Sequence, residues 1–210
     1  MNVFVVAATS MELDSIANCT FESNHEISFH THGIGILQST FQLQKLAILK
    51  PDFIIQFGIA GSYNQNLSIG EPVIVASEQL GDCGAEDHEQ LLTLNDLGFQ
   101  DKNEFPFVNN ILSNPYTNKH SSHLKKVNSL TVNLSAGNLD TIRLRKNKFK
   151  VDIESMEGAC LHYVCLEYGI PFVQLRGISN YVEPRNKSKW NIPLALSNCK
   201  DEVIQLIQTL

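Results

Sequence analysis

Two segments of this 210-residue chain carry side chains whose types and spacing could grip a polar small molecule. In Asp152-Ile153-Glu154-Ser155-Met156-Glu157-Gly158-Ala159, a thioether and a carboxylate stand where a strand passes into a helix. Further on, Gly177-Ile178-Ser179-Asn180-Tyr181-Val182-Glu183-Pro184-Arg185-Asn186 ends a second strand in a polar amide. A ribose offers hydroxyls and an apolar face, and a purine offers an edge of donors and acceptors, so these groups are fitting partners. Each also has a plainer account: Glu157 as good placement at a helix start, Met156 as core filler, Asn180 as a residue that turns the chain ahead of Pro184. Thr9-Ser10-Met11-Glu12 places another carboxylate just after the first strand, and the same letters spell a capping box in which Glu12 reaches back to the helix start. Glu183-Pro184-Arg185-Asn186 and Trp190 read either as a loop closing the pocket or as a surface ion pair beside a buried Trp.

The elements that must position these residues follow from the apolar pattern. Residues 3–7, 53–57, 72–76, 130–134 and 172–178 read as strands, several of them apolar on both faces, which points to a largely parallel α/β sheet. Helical periodicity covers residues 36–49, ending before Lys50-Pro51, as well as 159–168, stopped by Gly169, and 194–210. Residues 80–128 are the least regular. Their Phe99, Phe105, Phe107 and Tyr116 are too many aromatics for a disordered linker, so a functional excursion from the sheet is expected.

Composition narrows the function further. With 16 Lys+Arg against 22 Asp+Glu and a net charge of −6, there is no electrostatic footprint for nucleic acid or an anionic membrane. No run approaches the ~20 apolar residues of a membrane span, and Glu12 and Asp14 follow the first apolar run where a signal peptide would have none, so a cytoplasmic protein is expected. Cys19, Cys83, Cys160, Cys165 and Cys199 form an odd set without a CxxC pair, which reads as free, buried thiols. His30-Thr31-His32 and the His120/His123 pair lack carboxylate or Cys partners at ligand spacing, so no metal is expected.

Taken together, the opening Val5-Val6-Ala7-Ala8-Thr9 through Glu12, Gly33-Ile34-Gly35, Pro51-Asp52, Gly58-Ile59-Ala60-Gly61, the 81–87 and 103–107 segments and the two segments above resemble the nucleoside phosphorylase/nucleosidase family, most closely its futalosine hydrolase branch. The likeness covers most of the chain. It implies a single α/β domain over residues 1–210, a three-layer sandwich of a twisted, mixed, mostly parallel sheet flanked by helices. It also implies cleavage of an N-glycosidic bond through an oxocarbenium-like ribosyl species.

On that resemblance Glu12 matches the base that deprotonates water, Glu157 the acceptor of the ribose 2- and 3-hydroxyls, and Met156 the side chain under the ribose. Ser155 departs from the Glu that methylthioadenosine-type relatives carry, and Ile59 from a Ser or Thr. Asn180 replaces the Asp of adenine-cleaving relatives; an amide donates a hydrogen bond but not a proton, which favours a 6-oxopurine such as hypoxanthine. Gly58–Gly61 reads as an anion-binding turn lacking a phosphate cage, so water is the expected nucleophile. Arg185 is a candidate for the benzoate carboxylate, while Phe105, Phe107 and Leu134 are candidates to stack on the base.

The expectation is a cofactor-free futalosine hydrolase acting on a small nucleoside, assembled as a homodimer or larger. A phosphorylase, a nucleosidase for methylthioadenosine or aminodeoxyfutalosine, and a silent purine binder remain as alternatives.

Overall fold

The computed structural model describes residues 1–17, 19, 23–117, 119–120 and 123–210. The order is β1 (Asn2–Ala7), α1 (Ser10–Ala17), β2 (Glu26–Thr31), α2 (Ile36–Ile48), β3 (Phe53–Ser62), β4 (Pro72–Leu80), a hairpin of β5 (Gly84–Asp87) and β6 (Gln90–Thr93), and β7 (Leu112–Ser113). It continues with β8 (Lys125–Thr131), α3 (Leu139–Lys148), β9 (Ile153–Ser155), α4 (Gly158–Tyr168), β10 (Phe172–Tyr181), a 3-10 turn (Lys187–Lys189) and α5 (Ile192–Thr209).

Alternation along β1 explains the layering. Val3, Val5 and Ala7 point to one side, where they pack with Leu13 and Ile16 of α1 and Cys199, Val203 and Leu206 of α5. Phe4 and Val6 point to the other, against Leu43 and Ala47 of α2 and Leu161 and Val164 of α4. With both faces covered, β3 and β10 have no need of a polar face, and Ile54, Ile55, Phe57, Phe172, Val173 and Leu175 are all fully buried. Each such side chain contributes roughly 1.5–3 kcal/mol of burial. The fold is the expected α/β sandwich. Gly169, at φ 65°, ends α4 in the left-handed conformation, and Ile170 N–H closes on Cys165 O at 2.9 Å.

The sheet also closes on itself. β3 pairs β10 in parallel, β10 pairs β4 antiparallel, and β4 and β8 are parallel, as are β8 and β9; β9 returns antiparallel to β3. β1 and β2 extend the parallel side from β3.

Three expectations need correcting. The strand read at 130–134 runs instead over Lys125–Thr131, because two of its buried positions are the polar Ser129 and Thr131 rather than aliphatics. Gly58–Gly61 is not a turn; it lies inside β3, where Gly58 and Ile59 pair with Arg176 and Gly177 of β10. The 80–128 excursion is partly regular, holding the β5–β6 hairpin and β7, which pairs with β4.

Candidate active site

The ends of β3, β9 and β10, the start of α1 and the β8–α3 connection surround a cavity of about 250 Å³. Its wall includes Glu12, Ile59, Ser155, Met156, Glu157, Arg176, Asn180, Arg185 and Trp190. The site residues singled out in the sequence are therefore brought together, apart from the stacking candidates, the first of which is Phe105. That ring is 66% exposed and forms no part of the wall. The other stacking candidates also stand elsewhere: Phe107 is packed with Leu112 and Ala159, and Leu134 is exposed. Their sequence signal was aromatic or apolar character alone, which does not tell a cavity wall from a surface turn. The apolar part of the wall comes instead from Ile34, Ile59, Val132, Met156, Val182 and Trp190.

Glu12 forms the cap with one of its two carboxylate oxygens. Its Oε2 accepts from Thr9 N–H at 2.9 Å and from Thr9 Oγ1 at 2.8 Å, the capping box foreseen from the letters. Its Oε1 faces Gly58 in β3, where an added β-carbon would lie 2.9 Å away. Capping thus fixes the rotamer of a buried carboxylate whose second oxygen stays directed at the cavity wall.

Glu157 precedes the first turn of α4, but its side chain does not cap that helix. Instead Oε1 accepts from Gly35 N–H at 3.1 Å, at the start of α2. Burial raises its pKa, and the Glu12 carboxylate acts in the same direction, against the pull of the Arg176 guanidinium and the Gly35 amide. A carboxylate held this way still has acceptor capacity for two neighbouring hydroxyls.

Asn180 follows a bulge that shifts the β10–β3 register between Ile178 and Asn180. Such a bulge re-aims the next side chain. Its Oδ1 accepts from Ser179 Oγ at 2.7 Å and its Nδ2 donates to Tyr181 O at 2.9 Å, which leaves one amide N–H for a ligand.

Arg176, assigned no chemistry from the sequence, is fully buried in the wall. Nη2 donates to Gln56 Oε1 at 3.0 Å, and Gln56 Nε2 in turn meets His32 at 3.0 Å. Burial, reinforced by this guanidinium, lowers the His32 pKa to about 4, so that ring is neutral. Behind α4, Glu78 is wholly buried, accepting from Gln174 at 3.0 Å and Thr131 at 2.8 Å. It lies so close to Gly158 that a β-carbon there would overlap it. Arg176 and Glu78 had a signal in the sequence after all: a charge inside an apolar strand run demands charged or hydrogen-bonding partners.

Arg185 lies at the mouth, exposed, with its guanidinium carbon 5.2 Å from the centre of the Trp190 ring. Cys160, Cys165 and Cys199 are buried free thiols, while Cys19 and Cys83 are partly exposed. Among the described residues no three His, Cys, Asp or Glu are grouped to hold a metal ion, and no helix is long and apolar enough to cross a membrane.

This arrangement can orient and deprotonate a water, accept hydrogen bonds from a diol and donate one to a base edge. Comparisons with known proteins bear on the family and the fold. A model of the phosphorylase superfamily matches residues 15–208. The chain is 27% identical over 179 residues to a futalosine hydrolase of Thermus thermophilus, covering 83% of this chain and 78% of that one. In fold it resembles a futalosine hydrolase mutant of Helicobacter pylori, with TM-score 0.82 at 17% identity over 99% of both chains. It likewise resembles the Helicobacter pylori 5'-methylthioadenosine/S-adenosylhomocysteine nucleosidase D198N mutant with 5'-methylthioadenosine in its active site, with TM-score 0.79 at 17% identity over 100% of this chain and 99% of that one.

Proposed function

We propose that this chain, which belongs to the phosphorylase superfamily and is an N-glycosyl hydrolase, cleaves futalosine to hypoxanthine and the base-free sugar. One observation carries the reading: Glu12, Glu157 and Asn180 line the same cavity. In this account Glu157 accepts hydrogen bonds from the ribose 2- and 3-hydroxyls, bonds that strengthen as positive charge develops on the sugar. Met156, beside it in the wall, packs under the ring. Glu12 Oε1 takes the proton from the attacking water. Asn180 donates its remaining N–H to O6 or N7 as electron density moves onto the departing base, which leaves as the hypoxanthine anion or takes a proton from solvent. Arg185, a guanidinium at the mouth without an ion-pair partner among the described residues, receives the benzoate carboxylate.

Water rather than phosphate is the nucleophile in this account. The Arg176 charge is balanced by the acidic groups around it, Glu12, Glu157 and Glu78, and its Nη2 is engaged with Gln56. A phosphate beside Glu12 would be repelled in so buried a site. The enzyme works in the cytoplasm as a homo-oligomer whose interface covers the apolar face of α2, where Leu37 is 87% and Phe41 55% exposed, next to Ile34 at the cavity wall.

The test is to incubate the protein with futalosine, aminodeoxyfutalosine, inosine and methylthioadenosine, with and without phosphate, and to follow free base. Release of hypoxanthine from futalosine with a free reducing sugar is expected. A pentose 1-phosphate among the products, or preference for an adenine nucleoside, rejects the reading.

A further inference from the structure

The connection from β8 to α3 forms one side of the cavity through Ser135 and Ala136, yet it has no regular structure of its own. Three buried or half-buried charges hold it instead. Asp82 Oδ2, after β4, accepts from Asn133 N–H at 2.7 Å and Leu134 N–H at 3.0 Å. Arg145 of α3 donates through Nη2 to Leu134 O at 2.8 Å. Glu154 of β9 accepts from Ala136 N–H at 3.0 Å. Glu154 and Arg145 pair at 3.2 Å, both almost wholly buried, and Tyr63 donates its hydroxyl to the same carboxylate oxygen at 2.5 Å.

An ion pair buried this deeply is a poor device for stability, since apolar residues of similar volume do as well or better. It fixes geometry. What it fixes is located by Gly61, which pairs with Glu154 on one side and Asn180 on the other; a β-carbon there would lie 3.8 Å from Glu154 Cγ and 3.2 Å from Asn180 Nδ2. The clamped segment therefore flanks the Asn180 end of the cavity. Among the described residues nothing in the chain bonds the Ser135 amide, carbonyl or hydroxyl, so these groups are available to a ligand edge.

We propose that Glu154, with Arg145 and Tyr63, is a positioning residue for base discrimination: it sets the Ser135–Ala136 backbone against Asn180 so that the two sides grip one oxopurine edge. This rests on the nucleosidase reading for the identity of the ligand.

Two readouts separate the ideas: turnover of futalosine against aminodeoxyfutalosine, and binding of free hypoxanthine against adenine followed by fluorescence of Trp190, the single tryptophan, which lines the cavity. Glu154→Gln is expected to lower the preference for the oxopurine about fivefold or more in both. Tyr63→Phe, which removes only one hydroxyl, should shift it the same way by about twofold, and it stands in if Glu154→Gln does not fold. Equal losses for both bases, or an unchanged preference, overturn the clamp while leaving the hydrolase intact. A wild-type protein that binds hypoxanthine selectively but turns over nothing, with selectivity lost in Glu154→Gln, upholds the clamp and rejects the hydrolase. Failure of the wild type to bind either base overturns both.

Discussion

Glu12 Oε1 and Arg176 Nη1 converge on the bare Cα of Gly58: a β-carbon built there would lie 2.9 Å from the carboxylate oxygen and 2.6 Å from the guanidinium nitrogen. One comes from α1 and the other from β10, and β3 passes between them without a side chain. The carboxylate proposed as the base and the guanidinium beside it therefore share a register set by backbone.

Gly58→Ala should push both side-chain ends aside while leaving the strand paired, because each obstructing atom is the far end of a long side chain. Displacements of this size at a reacting centre cost roughly 10²-fold in rate. The expected outcome is that loss in kcat, with far-ultraviolet circular dichroism unchanged. Full activity would mean that the Glu12–Arg176 arrangement does not matter to the chemistry.

Glu12→Gln separates capping from catalysis. The amide oxygen still accepts from Thr9, so the loss of stability should stay below about 1 kcal/mol. Turnover should fall by ~10²–10⁴-fold, because an amide cannot take a proton from water. Paired measurements of urea unfolding and single-turnover base release check this. A stability loss without a rate loss would assign Glu12 to the cap alone.

Asn180→Asp should move substrate choice toward adenine nucleosides, since a protonated carboxyl can hand a proton to N7 and an amide cannot. The ratio of kcat/KM for futalosine to that for aminodeoxyfutalosine is the measurement. A fall of about tenfold is expected, equivalent to ~1.4 kcal/mol. A ratio that stays put would remove Asn180 from base recognition.

Burial pushes the Glu78 pKa up to about 6 from an ordinary 4.5, against the bonds from Gln174 and Thr131 and the nearby Arg176. Below pH 4.5 the group is protonated in both states. Between there and pH 6 the unfolded chain releases its proton first, so stability present in acid is lost as pH rises, and no further change follows above pH 6. Relative to Glu78→Gln, wild-type protein should therefore lose about 2 kcal/mol across this window. Urea unfolding of both proteins at several pH values tests it; a constant difference would show that the carboxyl ionises normally in the fold.

The sequence revealed the layers and the principal residues unevenly, for physical reasons. β1, β3 and β10 were legible because strands covered on both faces must be apolar throughout, and α2, α4 and α5 because each shows a periodic stripe or a hard stop. The short strand β9, too brief to show a period, was legible only as the strand end that runs into Met156 and Glu157, and β8 was displaced because it buries Ser129 and Thr131. The cavity residues were found through their chemical types, Glu12, Met156, Glu157 and Asn180. Arg176, read only as a neighbour able to position Asn180 or the loop, and Glu154 were given no partners, because a charge in a strand announces partners without naming them, and those partners, such as Gln56 and Tyr63, lie 120 and 91 positions away in the chain. Phe105 failed for the opposite reason: an aromatic ring in a loop carries no information about the direction it faces.

The three residues of β9 close the ring of strands between β8 and β3, and the chain leaves them straight into Met156 and Glu157. A latch so short has few main-chain bonds, so it is held by its side chains, with Ile153 fully buried and Glu154 bound to Arg145 and Tyr63. Opening it would unhook the Ala136 anchor and displace the Glu157 carboxylate in the same event. A ligand lodged in the cavity, whose wall Glu154 and Ser155 help to form, therefore acts as a pin through the latch, and occupancy is coupled to amide hydrogen exchange along the seam where β9 meets β8 and β3.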